Sequence, residues 1–393
     1  MPSATAMSLS ASDPPPFVVV GNPGSRRVEL FQAALGGLGL APAQVVAYAD
    51  ILSGRAHLAT AVPPGAVVRI ESPGKDFAVE QALLMLGADE PDAANPSYER
   101  IERAAVARLA FEKGRILPLR QWYLGLRAAL RLIAQQLAAG PPHWLMARPD
   151  DILTMFDKRA CHARLEGAGV VVPRGLGRVD SYDELVAAME CAGCPRVFVK
   201  PTHGSSASGV IAYQTSRGRH LATTTVELVR VRGELQLYNS RRLREYRDQA
   251  EIAALVDAIC RQRAHVEQWV PKAGIGERVF DLRVVVIGGL ARHVVVRMSR
   301  GPMTNLHLLN QRGVWADVLE QMGDAAWSDA RQTCERAMAC FPASLHAGID
   351  LLIGTDYRRH AVLEVNAFGD LLPGVLWNGV DTYTAEILAV LRG

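Results

Sequence analysis

The sequence predicts an α+β protein preceded by a smaller α/β unit, and three observations support this fold class. An apolar strand beginning at Phe17 runs into a Gly/Pro turn and an amphipathic helix, which is a β-loop-α opening. From residue 146 the pattern changes to helices separated by paired strands, which is typical of mainly antiparallel sheets. A Gly-Pro-Pro break at 140–142 separates the two patterns, because prolines following a glycine do not continue a helix.

The hydrophobic pattern predicts the individual elements. In the first unit we expect strands from residue 17, at 44–48 and at 67–70, and helices at 28–38, 76–86, 98–113 and 121–139. In the second we expect helices at 151–167, 248–263 and 328–340, a strand pair over 197–213, hairpins at 223–237, 280–298 and 345–366, and a strand at 265–270. The turn at Gly24 lacks the spacing of a dinucleotide fingerprint, so we interpret it as an ordinary strand-to-helix turn.

Composition excludes several classes of protein. A net charge of +3 over 393 residues, with no long basic block, argues against nucleic-acid binding as the main activity. No apolar run approaches the roughly 18 residues of a membrane span. Residues 1–16 are rich in Ser, Ala and Pro and lack the basic start and apolar core of a signal peptide, which predicts a disordered tail and a cytoplasmic protein.

Cysteine and lysine usage is also informative. In a reducing compartment the six scattered cysteines are expected to be free thiols, and the C-x-x-C pair Cys191/Cys194 lacks the second ligand pair of a zinc site. Only five of the 43 basic residues are lysines, which indicates that a retained lysine marks a place where a compact ammonium matters. Three of them, Lys158, Lys200 and Lys272, fall in the motifs described below.

The strongest motif is the predicted hairpin near the C-terminus. Pairing its strands about Tyr357 places Asp350 opposite Glu364, with Asn366 two residues further along the same face. Two facing carboxylates repel each other unless a cation lies between them, and Mg²⁺ prefers such oxygen ligands, completed by phosphates. The motif therefore predicts a magnesium site, with an exposed hairpin face carrying unrelated polar groups as the alternative.

A second motif joins a strand to a loop of small residues. The strand 197–200 ends in Lys200, and the loop at 204–209 returns directly into another strand, so its backbone N–H groups could cover phosphates. No helix and no Gly-Lys-Ser/Thr follows, so the loop is not a Walker A motif and is closer to a glycine-rich flap. A flexible hairpin loop with no ligand would show the same pattern.

Two further stretches suggest ligand contacts. The short strand at 265–270 could present backbone groups to an adenine edge, with Glu267 or Gln268 meeting its amino group or the ribose, or it could be an ordinary edge strand. Arg283 and Arg297, at the outer ends of a hairpin, could hold a phosphoryl group or a carboxylate in a forked geometry, or could simply be solvated.

Taken in order, these stretches resemble the ATP-grasp superfamily over residues 150–370, most closely the branch of the ribosomal-protein glutamate ligase and the glutathione-synthetase-like enzymes. The motifs that carry the resemblance are Asp157-Lys158, Gly169-Val-Val-Val-Pro173, Phe198-Val-Lys200-Pro201, Glu267-Gln-Trp-Val270, Asp281-Leu-Arg283, Thr304-Asn-Leu-His307, Gly348-Ile-Asp350 and Glu364-Val-Asn366. Each is short, and their order and spacing together are specific.

The resemblance implies two α+β subdomains that clamp ATP, behind a Rossmann-like N-terminal domain. It implies an ATP- and Mg²⁺-dependent ligase that joins a carboxylate to an amine through an acyl phosphate and releases ADP and phosphate. Dimers are common among such enzymes, so a homodimer is compatible with it. The corresponding division is a tail at 1–16, an α/β domain at 17–145 and an ATP-grasp domain at 146–393, with the flap-bearing part at 150–264 and the metal-bearing part at 265–393.

The resemblance also assigns residues to the site. Around the phosphates it places Lys158, Lys200, Gly204, Ser205, Ser206, Ser208 and Gly209, and at the adenine hinge Glu267, Gln268, Trp269 and Val270. It places Arg283 and Asn305 near the γ-phosphate, with Lys200 among the catalytic groups, and Asp350, Glu364 and Asn366 around Mg²⁺. The expected substrate contacts are Arg283, Arg297, His307 and Arg312.

Two departures from the branch point to a different acceptor. Met303 stands where an arginine often precedes the Asn-Leu-His stretch, and residues 223–244 form an Arg-rich insertion. Two other functions remain open at this stage: a kinase built on the same clamp that phosphorylates a small molecule, and a non-catalytic ATP-binding module.

Overall fold

A computed structural model describes residues 14–92, 98–205, 207–231, 233–369 and 372–392. Three β-sheets organise this part of the chain. Residues 1–13, and with them most of the predicted N-terminal tail, lie outside the described residues. No helix in the described ranges combines the length and the apolar character that crossing a membrane requires.

The N-terminal sheet has four parallel strands in the order β2-β1-β3-β4. Its strands are β1 (Phe17–Gly21), β2 (Gln44–Ala47), β3 (Ala66–Ile70) and β4 (His143–Leu145), and its helices are α1 (Arg26–Gly37), α2 (Tyr48–Leu52), α3 (Leu58–Ala61), α4 (Phe77–Asp89), α5 (Arg103–Val106) and α6 (Leu119–Ala138). Buried strand β1 is a continuous apolar run, and β3 is apolar apart from the buried Arg69, as expected for a parallel sheet covered on both faces.

The helix predicted at 98–113 is wrong except for the single turn of α5. Glutamine side chains from neighbouring helices take the backbone groups that a helix would have used. Gln121 accepts from the Ile101 N–H at 2.7 Å and donates to the Ile101 carbonyl at 2.9 Å. Gln81 donates to the Val106 carbonyl at 2.8 Å. Tertiary hydrogen bonds therefore override the local helical pattern.

The second sheet has five antiparallel strands in the order β8-β7-β6-β5-β9. The strands are β5 (Arg196–Pro201), β6 (Ile211–Ser216), β7 (Arg219–Val231), β8 (Glu234–Tyr246) and β9 (Ala264–Gln268), covered by α9 (Tyr182–Ala192) and α10 (Gln249–Cys260). This sheet and its two helices enclose a hydrophobic core of their own. The hairpin predicted at 223–237 is longer than expected, because β7 and β8 have 13 residues each.

The third sheet has six antiparallel strands in the order β13-β12-β11-β14-β15, with β10 added beside β11. The strands are β10 (Gly274–Ile275), β11 (Arg278–Ile287), β12 (Leu290–Ser299), β13 (Gln311–Gly313), β14 (His346–Ile353) and β15 (His360–Asn366), and the helices that follow or pack on it are α7 (Pro149–Phe156), α8 (Lys158–Gly167), α11 (Trp315–Ala339) and α12 (Thr382–Arg392). Helix α11 begins earlier than predicted and contains a non-helical Gly323. One continuous core joins this sheet to the N-terminal sheet.

The helix predicted at 151–167 is two helices in the structure, interrupted at Asp157. Asp157 has extended backbone angles and its side chain accepts from the N–H groups of Arg159 and Ala160, so it caps α8. An aspartate at an N-cap satisfies amide groups that have no partner inside the helix. The break turns Lys158, the first residue of α8, toward the space between the second and third sheets.

Helices α4 and α6 cross at two glycines, which yields a test of the fold. A Cβ atom on Gly125 would lie 1.8 Å from the Leu83 carbonyl oxygen, and one on Gly87 would lie 1.9 Å from the Gln121 carbonyl oxygen. Gly125→Ala is therefore expected to lower the free energy of unfolding by at least about 2 kcal/mol, because backbone atoms must move apart. The measurement is urea unfolding followed by circular dichroism.

The matched control for this prediction is Gly36→Ala in helix α1, where a new Cβ would meet no atom within 4 Å. That change is expected to leave stability unchanged or to raise it by up to about 1 kcal/mol. Equal unfolding midpoints for Gly125→Ala and the wild-type protein would contradict the close helix crossing.

Candidate active site

A cavity of about 970 Å³ lies where the three sheets meet. Sixteen of the predicted site residues line it: Lys158, Lys200, Gly204, Ser205, Ser208, Glu267, Gln268, Val270, Arg283, Arg297, Asn305, His307, Arg312, Asp350, Glu364 and Asn366. Ser206 lies outside the described residues. The structure thus brings together residues that are up to 208 positions apart in the chain, from Lys158 to Asn366.

The N-terminal sheet contributes a wall that the sequence did not predict. The segments 22–27 and 72–76, which follow β1 and β3, both line the cavity. Ligands of open α/β sheets bind at the carboxyl ends of the strands, where neighbouring strand connections run in opposite directions. The turn at Gly24, which follows β1, is the sequence feature that marks this wall, so its interpretation as an ordinary strand-to-helix turn is incomplete.

Two predicted residues do not line the cavity. The Trp269 ring packs against Phe198, with centroids 5.3 Å apart, and the Arg196 guanidinium lies 5.7 Å from its centre. Gly209 has a φ of +75°, and a Cβ there would meet Pro201 at 2.5 Å, so its place in the loop is a tight turn. Trp269 therefore affects the cavity only through the packing of its ring, and Gly209 only through its backbone conformation.

The C-terminal hairpin has the predicted pairing near the site. Asp350 stands opposite Glu364 and Gly348 opposite Asn366, on strands β14 and β15. A register shift between Asp350 and Leu351 makes the pairing toward the turn differ by one residue from a hairpin centred on Tyr357. The ladder therefore confirms the facing carboxylates and adds an irregularity that the sequence pattern did not reveal.

Asp350 is held by two arginines. Its carboxylate accepts from Arg283, with one bond of 3.1 Å, and lies 3.1 Å from the Arg297 guanidinium. Burial acts to raise the pKa of Asp350, but the two guanidinium groups outweigh it and the pKa lies below its usual value. Asp350 is therefore charged at neutral pH.

Glu364 is paired with the lysine at the start of α8. Lys158 Nζ lies 2.9 Å from Glu364 and donates to the Gly204 carbonyl at 2.6 Å. This contact joins the C-terminal hairpin to the base of the glycine- and serine-rich loop, residues 204–209. The Glu364 side chain is 29% exposed, which is more than the buried side chain of Asp350.

The donor set at the hairpin fits Mg²⁺. Asp350 and Glu364 supply carboxylate oxygens, while Asn366 donates its amide N–H to the Gly348 carbonyl at 3.1 Å and keeps its acceptor oxygen. No cluster of three or more His, Cys, Asp or Glu side chains in the described ranges forms a metal cage. Because Mg²⁺ commonly takes one or two carboxylates and completes its shell with water and phosphate oxygens, this set suits a metal bound together with a nucleotide.

Lys200 forms a buried ion pair with Glu267. The two residues lie on the neighbouring strands β5 and β9, and Glu267 also lies 3.2 Å from His265 Nε2. Burial acts to raise the pKa of Glu267, but Lys200 and His265 lower it to about 2. The predicted contact of Glu267 with an adenine amino group or ribose is thus in competition with a contact inside the protein.

The backbone of β9 shows which groups remain for a base. The Gln268 N–H donates to the Arg174 carbonyl at 2.8 Å, and the Trp269 N–H donates to the Arg196 carbonyl at 3.0 Å. These two amide N–H groups bond within the protein and therefore do not remain for a bound base. Of the predicted hinge residues, Gln268 and Val270 line the cavity beyond the buried Glu267.

Buried charges form the floor of the cavity. Arg297 donates to Asp281 at 2.7 Å, and Lys272 lies 2.9 Å from Asp281 and 2.8 Å from Thr304 Oγ1. Arg283 and Arg297 are both buried, so the alternative that they are solvated is wrong. The sequence assigned no role to Lys272 or Asp281, which here fix the position of Arg297.

The remaining predicted contacts lie on the segment 305–312, which runs from a 3₁₀ turn into β13. The Asn305 side chain accepts from the His307 N–H at 3.0 Å, which caps the short 3₁₀ turn Leu306–Leu308. Arg312 donates to the Pro373 carbonyl at 3.0 Å. Asn305, His307 and Arg312 all line the cavity.

Comparison with known proteins shows similarity at the level of structure. No family model and no curated protein matches the sequence. Three solved structures align over 96% of this chain and 99% of their own: the D-cycloserine synthetase DcsG (TM-score 0.54, 15% identity), the ATP-grasp ligase PsnB complexed with minimal precursor (0.53, 15%), and the macrocyclase MdnC bound with precursor peptide MdnA from Microcystis aeruginosa MRC (0.52, 11%). With its three sheets and a cavity between them, the chain has the ATP-grasp fold.

Proposed function

We propose that the protein is an ATP-dependent carboxylate–amine ligase that forms an amide bond through an acyl phosphate and releases ADP and phosphate. One observation carries the proposal. Two lysines, Lys158 and Lys200, lie in the same cavity as the oxygen ligands Asp350, Glu364 and Asn366. Cations and oxygen ligands so arranged suit a triphosphate with its metal, which is what ATP-grasp chemistry requires.

We assign different lining residues of the cavity to the adenine, the phosphates and the metal of the nucleotide. Gln268, the last residue of β9, and Val270, two residues further, line the cavity and would present backbone groups to the adenine. Lys158, Lys200 and the amides of the loop 204–209 would lie along the phosphates, where their positive charge would be complementary. Asp350, Glu364 and Asn366 would hold Mg²⁺, which when bound neutralises charge on the transferring phosphate.

We assign the carboxylate of the substrate to the cavity floor, where the buried charges lie. Arg283 and Arg297 are held in fixed orientations by Asp281 and Asp350, so they are preorganised to orient an anion. Substrate carboxylate oxygen would attack the γ-phosphorus, and the amine would then displace phosphate from the acyl phosphate. No nucleophilic side chain of the protein is needed, and the loop 204–209 would keep water from the activated intermediate.

The substrate is a small molecule or a peptide that carries the carboxylate, with an amine as the second reactant. The PsnB structure contains a minimal precursor and the MdnC structure a precursor peptide, whereas DcsG is a D-cycloserine synthetase, and this chain covers 99% of each of the three. On the order of its motifs we propose that the chain is related to the glutamate-ligase and glutathione-synthetase-like branch. The cysteines are all free thiols, which supports a cytoplasmic location, and a homodimer is the assembly we propose.

The test is a screen for ADP release with amino acids, small peptides and related carboxylic acids, repeated with hydroxylamine. Substrate-dependent ADP release together with a hydroxamate product is expected, because only an acyl phosphate is trapped in this way. ADP release with a phosphorylated hydroxyl and no hydroxamate would show a kinase instead. Tight nucleotide binding with no ADP release from any acceptor would show a binding module.

A further inference from the structure

His203 lies at the base of the glycine- and serine-rich loop but has no part in the proposed chemistry. It follows the end of β5 and precedes Gly204, and it is buried. Its ring stacks on Tyr123 of helix α6, with centroids 4.0 Å apart and planes inclined by 27°. A buried imidazole is expected to have hydrogen-bond partners, because burying a polar ring without them is unfavourable.

The polar contacts of His203 reach two other parts of the fold. Its Nε2 atom lies 3.2 Å from Asp157 Oδ2 and 3.2 Å from the Arg120 guanidinium. Asp157 also accepts from Arg263 at 3.1 Å, and Arg120 forms two bonds of 2.8 Å with Asp92. A single ring nitrogen cannot donate to Asp157 and accept from Arg120 at once, so with its proton on Nε2 His203 bonds to Asp157 and lies between α6 and the start of α8.

Lys158 is tied to the same three-residue segment. Its backbone N–H donates to the Thr202 carbonyl at 3.0 Å, and its ammonium donates to the Gly204 carbonyl at 2.6 Å. Together with the contact between His203 and Asp157, these bonds join residues 202–204 to the first turn of α8. The distance between Lys158 and the loop amides is therefore set by this junction.

The imidazole is neutral at neutral pH. Burial lowers the pKa of His203 to about 4, although Asp157 acts in the opposite direction. The junction consequently rests on a hydrogen bond from the neutral ring to the charged Asp157 carboxylate, which is stronger than a bond between two neutral groups. Stacking on Tyr123 also fixes the position of the His203 ring. Substitutions can remove the hydrogen bonding and the stacking separately.

We propose that His203 is a positioning residue that holds the glycine- and serine-rich loop against helix α8, so that Lys158 and the loop amides keep the spacing that the phosphates of ATP require. This inference rests on the proposed function, since it names a residue that acts on the nucleotide through Asp157 and the loop. His203 touches neither the metal ligands nor the reacting carboxylate.

Three variants test the role. His203→Phe keeps a ring against Tyr123 and removes the hydrogen bonds, whereas His203→Gln keeps a donor and an acceptor at about the depth of Nε2. His220→Phe is the matched control, because His220 also stacks on a tyrosine, Tyr213, and bonds to its hydroxyl at 2.8 Å, but it does not line the cavity.

We expect His203→Phe to raise the Kd of ADP and the KM of ATP about tenfold while kcat changes less, because a bond to a charged group in a buried place is lost. The loop amides at 202–209 should exchange hydrogen for deuterium faster in this variant, without any ligand. His203→Gln should stay close to the wild-type protein in both measurements, and His220→Phe should match it.

Unchanged loop exchange and unchanged ADP affinity in His203→Phe would overturn the proposal. An equal loss in His203→Gln would also overturn it, since the hydrogen bonds would then not be the cause. A wild-type protein that binds no ADP would instead count against the proposed function, and the exchange of the ligand-free loop distinguishes the two failures. Thermal unfolding of each variant identifies a general loss of folding.

Discussion

Glu364→Gln is expected to lower substrate-dependent ADP release by at least about 100-fold, because the metal would lose one of its two carboxylates. The change keeps the size of the side chain and removes only its charge. Glu364 retains 29% exposure and has Lys158 as its ion-pair partner, so the cost to stability is expected to be small. The measurement is coupled ADP release at saturating ATP, with thermal unfolding recorded in parallel.

Glu335→Gln is the matched control for this prediction. Glu335 lies on α11, is 21% exposed and is paired with Arg331 at 2.7 Å, but it does not line the active-site cavity. It should retain full ADP release. Full activity in Glu364→Gln would remove Glu364 from the metal site and with it the main support for the proposed function.

Lys200→Met is expected to abolish ADP release and also to destabilise the protein. The activity is lost because a cation beside the phosphates is missing. The stability falls by about 3 kcal/mol or more, because Glu267, whose side chain is 2% exposed, would be left with an unpaired buried charge beside His265. Urea unfolding and ADP release measure the two effects separately.

The double variant Lys200→Met/Glu267→Gln separates structure from chemistry. Removing both charges should recover much of the lost stability, because no uncompensated carboxylate remains, but ADP release should stay absent. Lys113→Met, at an exposed lysine outside the cavity, is the control and should behave as the wild-type protein. Recovered ADP release in the double variant would mean that Lys200 has only a structural role.

Sixteen residues predicted for the site line one cavity, whereas their partners were not predictable. Strand alternation placed Asp350 opposite Glu364 because both lie on one hairpin, and the ladder confirms that pairing. The partner of Glu364 is Lys158, 206 residues earlier in the chain. No local pattern predicts such a contact, since it depends on how α8 packs against β15.

Two of the predicted helix boundaries were wrong, each for a physical reason. The break at Asp157 is an N-cap, which the apolar periodicity of 151–167 does not reveal. The segment at 98–113 has helical periodicity, yet Gln81 and Gln121 bind its backbone groups from other helices. A pattern in one segment does not reveal hydrogen bonds offered by distant segments.

By itself the sequence determined the local geometry of the protein: the alternation of its strands, the facing carboxylates of the hairpin and the small-residue loop after Lys200. These features depend on residues close together in the chain, where backbone periodicity dictates which side chains share a face. Only the tertiary structure decided which charges are paired, that loops after β1 and β3 form a cavity wall, and that His203 joins the loop to α8. Such contacts arise when separate elements pack together and bury their polar groups, and burial makes each of those groups take a partner.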